Sequence, residues 1–364
     1  MLLREKFQFH FFLVVLLAAV APNAHAFTEF VRHGYVNCIA CHVSPSGSGV
    51  LTPYGRQLST TLMSSAGREN EGAFLYGAVP APGWLRLGGD VRSVGIYRDT
   101  PQVRNGRFLF MQADVEAAAV VGPWTADAMV GLYNKEAQSR RHYINYRPTD
   151  ELSFRAGRFQ QAFGLMAPDH RSSIQRHLGW DEGSESYNVE AAWLGEQFST
   201  FLTGNLGRPD DSALDAEKGI SVRPAMAFWD RFQVGLSYYA GTKTAFSRQV
   251  GGPFAVLGFT PKLVLMSELM LQKRSSDGDR SKNGFSTLNQ LNYEPLKGLV
   301  FYVEQEAARQ DFLDSRTQFG AYGFGTQFFP RPHFEFNLLW QRQKLPSFPL
   351  DWSEYVTLQL HYYL

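Results

Sequence analysis

Cysteine is nearly absent from this chain: two residues in 364 cannot build a disulfide-held fold. Charge of one sign is lacking too, since 35 Lys+Arg stand against 34 Asp+Glu. A net +1 offers no field to nucleic acid or to a membrane surface, so nucleic acid is not an expected partner. After residue 21 no apolar run approaches the ~20 residues that a transmembrane helix needs. No G-x-S-x-G elbow, phosphate loop, dinucleotide fingerprint or zinc spacing occurs, and no enzyme activity is expected. Disorder is excluded as well, because 44% of the residues are apolar.

What the chain has in excess is aromatic: 29 Phe, 16 Tyr and 7 Trp at a mean hydropathy of −0.24. Large apolar side chains in a chain that is polar on average fit a soluble β-sandwich or a membrane β-barrel, and composition does not choose. The address narrows this. A basic start (Arg4, Lys6), an apolar core from Phe11 to Ala21 and the A-x-A of Ala24-His25-Ala26 predict a secretory signal peptide over 1–26. The alternative is an N-terminal membrane anchor.

The two cysteines form one motif, Cys38-Ile39-Ala40-Cys41-His42. Thiols at C-x-x-C-H spacing can add to the two vinyl groups of one haem, and the adjacent His then lies under the iron as proximal ligand. The alternative is a C-x-x-C disulfide or redox pair with an incidental His. That pair would need a βαβ context, whereas the flanks Gly34-Tyr-Val-Asn and Val43-Ser-Pro-Ser-Gly-Ser-Gly are loop-formers. One covalent haem c is therefore the preferred reading. For the sixth ligand, His33 is the first candidate and Met63 the second, with an open site or a partner's ligand as the remaining choices. Residues 27–83, interrupted by Pro45, Pro53, Pro80 and Pro82, are short for a cytochrome with its own core, so the haem segment is expected to lean on something else.

From Trp84 onward, short runs of alternating apolar and polar residues recur, sixteen between 84 and 364. Connections after even-numbered runs are tight, such as Val121-Gly-Pro and Trp229-Asp. Those after odd-numbered runs are longer and polar, among them 161–184, 241–253 and 274–283. Leu299, Phe301 and Val303 oppose Tyr302, Glu304 and Glu306, and Leu109, Met111, Ala113 and Val115 oppose Gln112, Asp114 and Glu116. Charges on one face and apolar groups on the other fit a closed transmembrane antiparallel β-barrel of about sixteen strands over 84–364, with a wet lumen. Short turns on one side and long loops on the other place both termini on the periplasmic side. Aromatics at run ends (Tyr97, Tyr133, Tyr146, Trp229, Phe328, Phe329, Tyr362, Tyr363) are expected in interfacial girdles, with most of the rest facing lipid. Asp114, Glu116, Asp127, Glu190, Glu268, Glu304, Glu306 and Glu335 are expected on the lumen face with Arg86, Arg92, Arg155 and Arg223. The loop 161–184, with Asp169, His170, Arg171, Arg176, His177, Asp181 and Glu182, reads first as a solvated extracellular loop. A lumen constriction and a metal site are the alternatives.

This pattern, the Gly-Arg-Phe at 157–159 leading into Phe163-Gly-Leu, and a final strand ending at Tyr363-Leu364 resemble a Gram-negative outer-membrane porin. The Cys38–His42 motif resembles c-type cytochromes, and Gly47–Arg56 resembles the loop that follows it in some exported cytochromes. Together they are similar to porin–cytochrome assemblies, which carry electrons across an outer membrane. The resemblance implies an outer-membrane location, lipid contact, and periplasmic and extracellular c-type cytochromes as partners. One haem, roughly 10–15 Å across, cannot bridge a hydrocarbon core of ~30 Å, so partners are required if electrons cross. The competing expectation is a diffusion porin for small solutes whose haem segment is a redox-sensitive plug or docking element.

Overall fold

The computed structural model describes residues 28–364 apart from 69, 134–135, 167–172, 181–182, 209–215 and 346–351. The expected signal peptide lies outside the described residues, as do Asp169, His170, Arg171, Asp181 and Glu182. The strands are β1 Leu85–Asp99, β2 Arg104–Val121, β3 Trp124–Tyr133, β4 Glu136–Gln138, β5 His142–Tyr146, β6 Leu152–Phe159, β7 Ser186–Leu194, β8 Phe198–Gly207, β9 Lys218–Phe228, β10 Phe232–Lys243, β11 Phe246–Thr260, β12 Leu263–Ser276, β13 Lys282–Leu296, β14 Leu299–Arg309, β15 Gln318–Phe328, β16 Phe334–Lys344 and β17 Ser353–Tyr363. Every pairing is antiparallel between chain neighbours, and β1 pairs β17 to close the sheet. β4 is a three-residue return on β3, whose wall neighbour is β5, so sixteen strands make the wall.

Closure follows from the period-two pattern. Phe301 and Val303 are exposed while Tyr302, Glu304 and Glu306 are buried, and the expected lumen acids Asp114, Glu116, Asp127, Glu190 and Glu268 all point inward with Arg92, Arg155 and Arg223. Apolar side chains such as Phe154, Leu202, Ile220 and Leu271 cover the outside, where a closed ladder leaves no unpaired backbone for lipid to meet. Near the rim of β2 the parity changes. A bulge between Arg92 and Ser93 passes over Met111, so Phe108 and Phe110 become the most exposed residues there instead of Leu109 and Met111. One extra residue is enough to exchange the faces.

Two further expectations are corrected and a third is qualified. The connection 241–253 is a tight hairpin: the ladder continues to the Lys243–Phe246 pair, leaving only Thr244 and Ala245 in the turn. The alternation of Phe246 and Val250 extends the strand into what polarity alone marks as loop. More aromatics are exposed than buried, Trp229, Phe301 and Phe324 among them, as expected, but a minority turn inward, the expected girdle residue Tyr133 included. Tyr133, Tyr143, Phe159, Phe201, Tyr239, Phe254 and Tyr302 are buried inside the barrel, and Phe329 is buried at its rim. Inside, rings shield lumen arginines: the Arg155 guanidinium lies 3.7 Å from the Phe159 ring and that of Arg223 lies 4.2 Å from Phe254. Finally, the loop after β6 is not a solvated extracellular loop. Its short helix α2 (Ser173–Leu178) buries Ile174 and Leu178, one turn apart, and the loop folds into the lumen with Leu165 and Trp180.

The N-terminal segment occupies the other end. It contacts the short-turn rim around much of the circumference: Asn37 donates to the Gly195 carbonyl, the Ser65 hydroxyl to the Lys297 carbonyl, and the Ala66 amide to the Pro330 carbonyl. Arg331 pairs with Glu71, and Arg56 donates to the Leu87 carbonyl. The segment leans on the barrel, as its length requires. Both ends of the wall, Leu85 and Tyr363, lie at this rim.

Candidate functional site

The C-x-x-C-H motif forms a 3-10 turn, Cys38–Ala40, with the Cys41 and His42 amides both donating to the Cys38 carbonyl. The chain then makes a small hairpin, with His42 bridged to Leu51 and the Val43 amide on the Val50 carbonyl. Gly47 at its tip has φ +82°, and a Cβ there would stand 3.1 Å from the Cys38 sulfur. Helix α1 (Pro53–Leu58) follows. The Thr52 hydroxyl caps it by accepting from the Gly55 amide at 3.1 Å, and Pro53 needs no amide at the first turn. A Cβ on Gly55 would lie 2.3 Å from the Cys41 carbonyl oxygen, so only glycine lets α1 seat on the motif. The stretch 47–56 is thus half hairpin and half helix.

Wall side chains fix this unit. Arg155 on β6 donates to Ser44 at 2.9 Å and Ser46 at 3.0 Å, and pairs with Glu190 at 2.6 Å. Arg141, before β5, donates to Ser48 at 2.9 Å and to Glu116 at 2.8 Å. Gln233 on β10 donates to the Val36 carbonyl at 2.9 Å, and Arg32 pairs with Glu294.

Between segment, loop and wall lies a cavity of about 320 Å³. Cys41, His42, Met63, Phe30 and Leu58 line it from the segment, Phe163, Leu178 and Trp180 from the loop, and Arg92, Arg141, Arg155, Tyr302 and Tyr363 from the wall. Burial pushes the Cys41 thiol up to about 12, with Cys38 adding to the rise, and holds Cys38 above its ordinary value. Burial also lowers His42 to about 4, so its imidazole is neutral, the form that ligates a metal. His42 Nδ1 lies 3.4 Å from the Gly49 carbonyl. A carbonyl only accepts, so this contact puts the proton on Nδ1 and the lone pair on Nε2.

Of the two candidates for a sixth ligand, Met63 is among the residues that line the cavity and His33 is not. Met63 lines the cavity and packs in one cluster with Phe30, Cys41, Leu58 and Phe329, where its sulfur accepts from the Tyr363 hydroxyl at 3.8 Å. His33 stands edge-on to Phe30, 5.7 Å between ring centroids, and its Nε2 accepts from Arg32 at 3.2 Å. Burial and the Arg32 charge lower it to about 4. One thiol (Cys41), a neutral imidazole (His42) and a thioether (Met63), donor types that a covalent haem would use, therefore share a cavity whose wall carries arginines (Arg92, Arg141, Arg155) and carboxylates (Asp114, Glu116, Glu268, Glu335) alike. Cys38 and Cys41 are not joined as a disulfide. Among the described residues no group of three or more His, Cys, Asp or Glu converges as a metal cage.

What sequence reasoning missed is the apolar lumen surface that surrounds Glu268. Val264, Met266 and Met270 lie on the Glu268 face of β12, and Val250, Phe254 and Val256 line β11 beside them. From Val264 to Gln272, only Glu268 and Gln272 interrupt the apolar inner face of β12. The run Leu263-Val-Leu-Met-Ser-Glu-Leu-Met-Leu carries the signal of an apolar occupant.

A closed antiparallel wall of sixteen strands with a loop folded inside defines the porin fold. The chain is similar in structure to a loop-L8 deletion mutant of OmpT, an outer membrane protein of Vibrio cholerae, at a TM-score of 0.63 and 10% identity, covering 77% of this chain and 99% of that one. It is also similar to an anion-selective porin from Comamonas acidovorans at 0.60 and 9%, covering 77% and 99%. The outer membrane channel DcaP of Acinetobacter baumannii matches at 0.57 and 11%, covering 77% and 97%. The matched share is close to that of the barrel itself. No family model and no curated protein matches the sequence.

Proposed function

We propose that this chain is an outer-membrane barrel, short-turn rim and both termini toward the periplasm, that carries one covalent c-type haem in its lumen. It passes electrons to or across the outer membrane with partner cytochromes, while lipid covers its apolar exterior. The observation that supports this is the convergence of Cys41, His42 and Met63 on one cavity beneath the loop. Cys38 and Cys41 would hold the haem as thioethers and His42 would be its proximal ligand. Met63, which lines the cavity, stands ahead of His33 as distal ligand. The bound haem would supply a one-electron couple, and a thioether ligand raises its potential relative to a second imidazole. Arg155 and Arg141 hold the motif's loop to the wall, and Gly55 seats α1 against it.

Reduced-minus-oxidised spectra of the purified protein test this reading. A c-type α-band is expected in the native chain and none in C38A/C41A. M63H should lower the midpoint potential, whereas H33Q should leave it unchanged. A native protein without the band removes the reading.

A second reading, diffusion of small solutes, is favoured by the fold likeness to proteins described as an anion-selective porin and an outer membrane channel. A large steady conductance indifferent to redox state would support it.

A further inference from the structure

We propose that Arg141 and Glu116 of the wall are positioning residues for His42: through Ser48 and Gly49 they hold the carbonyl that orients its ring and keeps its proton on Nδ1. Their effect on a redox potential rests on the haem reading, whereas the state of the ring is observable without haem.

The tip of the motif's hairpin runs through three consecutive residues with left-handed backbone, Gly47 at φ +82°, Ser48 at +67° and Gly49 at +72°. Glycine takes that conformation freely and serine does not, so residue 48 carries strain that its contacts must hold. Arg141 supplies one, its Nη1 donating to the Ser48 hydroxyl at 2.9 Å. Gly49 lies so close to the wall that a Cβ would stand 2.8 Å from Nη2 of Arg141 and from both carboxylate oxygens of Glu116. Its carbonyl is the one that faces His42 Nδ1 at 3.4 Å. The strained residue, the arginine on its side chain and the glycine seated on an ion pair thus form one continuous support for the imidazole.

The support is anchored to the sheet. Arg141 donates through Nε and Nη2 to the two oxygens of Glu116, at 2.5 and 2.8 Å. Glu116 stands on β2 opposite Met129 of β3, and the Met129 amide donates to the Arg141 carbonyl at 2.8 Å. Two strands of the wall therefore set where the Gly49 carbonyl lies. The outer partner of a ligating histidine fixes its tautomer and orientation and raises its basicity. A more basic imidazole favours the oxidised iron, so a loosened tip should raise the potential of a bound haem.

Redox titration of the purified full-length protein tests this by comparing S48A with S46A. Each loses one arginine hydrogen bond to the same hairpin, from Arg141 and from Arg155 respectively, and neither changes a charge. With the c-type band intact, S48A should raise the midpoint potential by about 60 mV, a tenfold shift in the one-electron equilibrium, and S46A should leave it in place. R141Q/E116Q removes the ion pair without stranding either charge and should reproduce the S48A shift. Heat-modifiable migration in gels checks each fold, and S48A, at an exposed position, carries the test alone should the double variant not fold. A shift in S48A no larger than in S46A overturns the proposal. A native chain without the band removes the haem reading, and ¹⁵N NMR of His42 in the same sample then decides the positioning role. The proton on Nδ1 in the native chain and mixed tautomers in S48A would support it, and the same tautomer in both would overturn it.

Discussion

At the scale of the residue, Arg155 ties the segment to the barrel. Its guanidinium serves Ser44, Ser46 and Glu190, and its side chain and that of Glu190 are each 1% exposed. Removing one partner of such a pair strands the other charge in the interior. R155M should destabilise the folded barrel by about 3–5 kcal/mol, whereas R155M/E190M should recover most of the loss, measured by urea unfolding in lipid. His177 of α2 carries a proton effect of opposite origin. Burial first, then the charges of Arg176 and Arg274, lower it from 6.5 to about 4, and its ring lies 4.9 Å from that of Phe319. Because the folded-state value is the lower one, its contribution is complete above pH 6.5 and is lost as pH falls through about 4. Hydrogen exchange at the α2 amides should therefore rise as pH falls between those values, and H177Q should flatten the profile. Arg155 was legible as a lumen-facing base from strand parity. His177 was not, because its burial depends on an inward loop that no local pattern announces.

At the scale of the element, the strands were readable because period two is imposed residue by residue. The alternation over 84–364 predicts sixteen strands, and sixteen make the wall, β3 and β9 among them. The long-loop side was less readable, since composition marks polar stretches as loop even where cross-strand pairing continues, as at Lys243–Phe246. The motif's spacing was visible in the sequence, but its seat was not, because that depends on a contact between a glycine and a backbone fourteen residues away. G55V should drive α1 off Cys41 without touching the wall, whereas Q57V, on the exposed face of the same helix, should not. Tryptic cleavage after Arg56 should be at least tenfold faster in G55V and unchanged in Q57V. Equal protection in both would mean that α1 is held by the wall alone.

At the scale of the whole molecule, a barrel depends on its seam, the one place where strands far apart in sequence must find each other. Arg92 of β1 and Glu335 of β16 stand opposite His361 of β17 on its two sides. His361 reaches Glu335 through Nδ1 at 2.7 Å and Asp90 through Nε2 at 3.0 Å, while Arg92 pairs with Asp90 at 3.0 Å and Gln327 donates to Glu335 at 2.7 Å. One ring therefore links the last two strands to the first. Beside it, the Tyr363 hydroxyl meets Ser59 at 3.1 Å, so the same rim holds the N-terminal segment. Elsewhere neighbouring strands are joined by a turn and closure costs little entropy, but β1 and β17 must close a loop of nearly the whole chain. H361L removes two contacts to half-buried carboxylates and should cost about 3 kcal/mol, because each contact to a charged group is worth about 1.5–3 kcal/mol. A mid-wall change of the same kind, N145L on β5, breaks only a local bond to Ser153. Heat-modifiable migration should therefore be lost at a clearly lower temperature in H361L than in N145L. Equal midpoints would mean that the backbone ladder alone holds the seam.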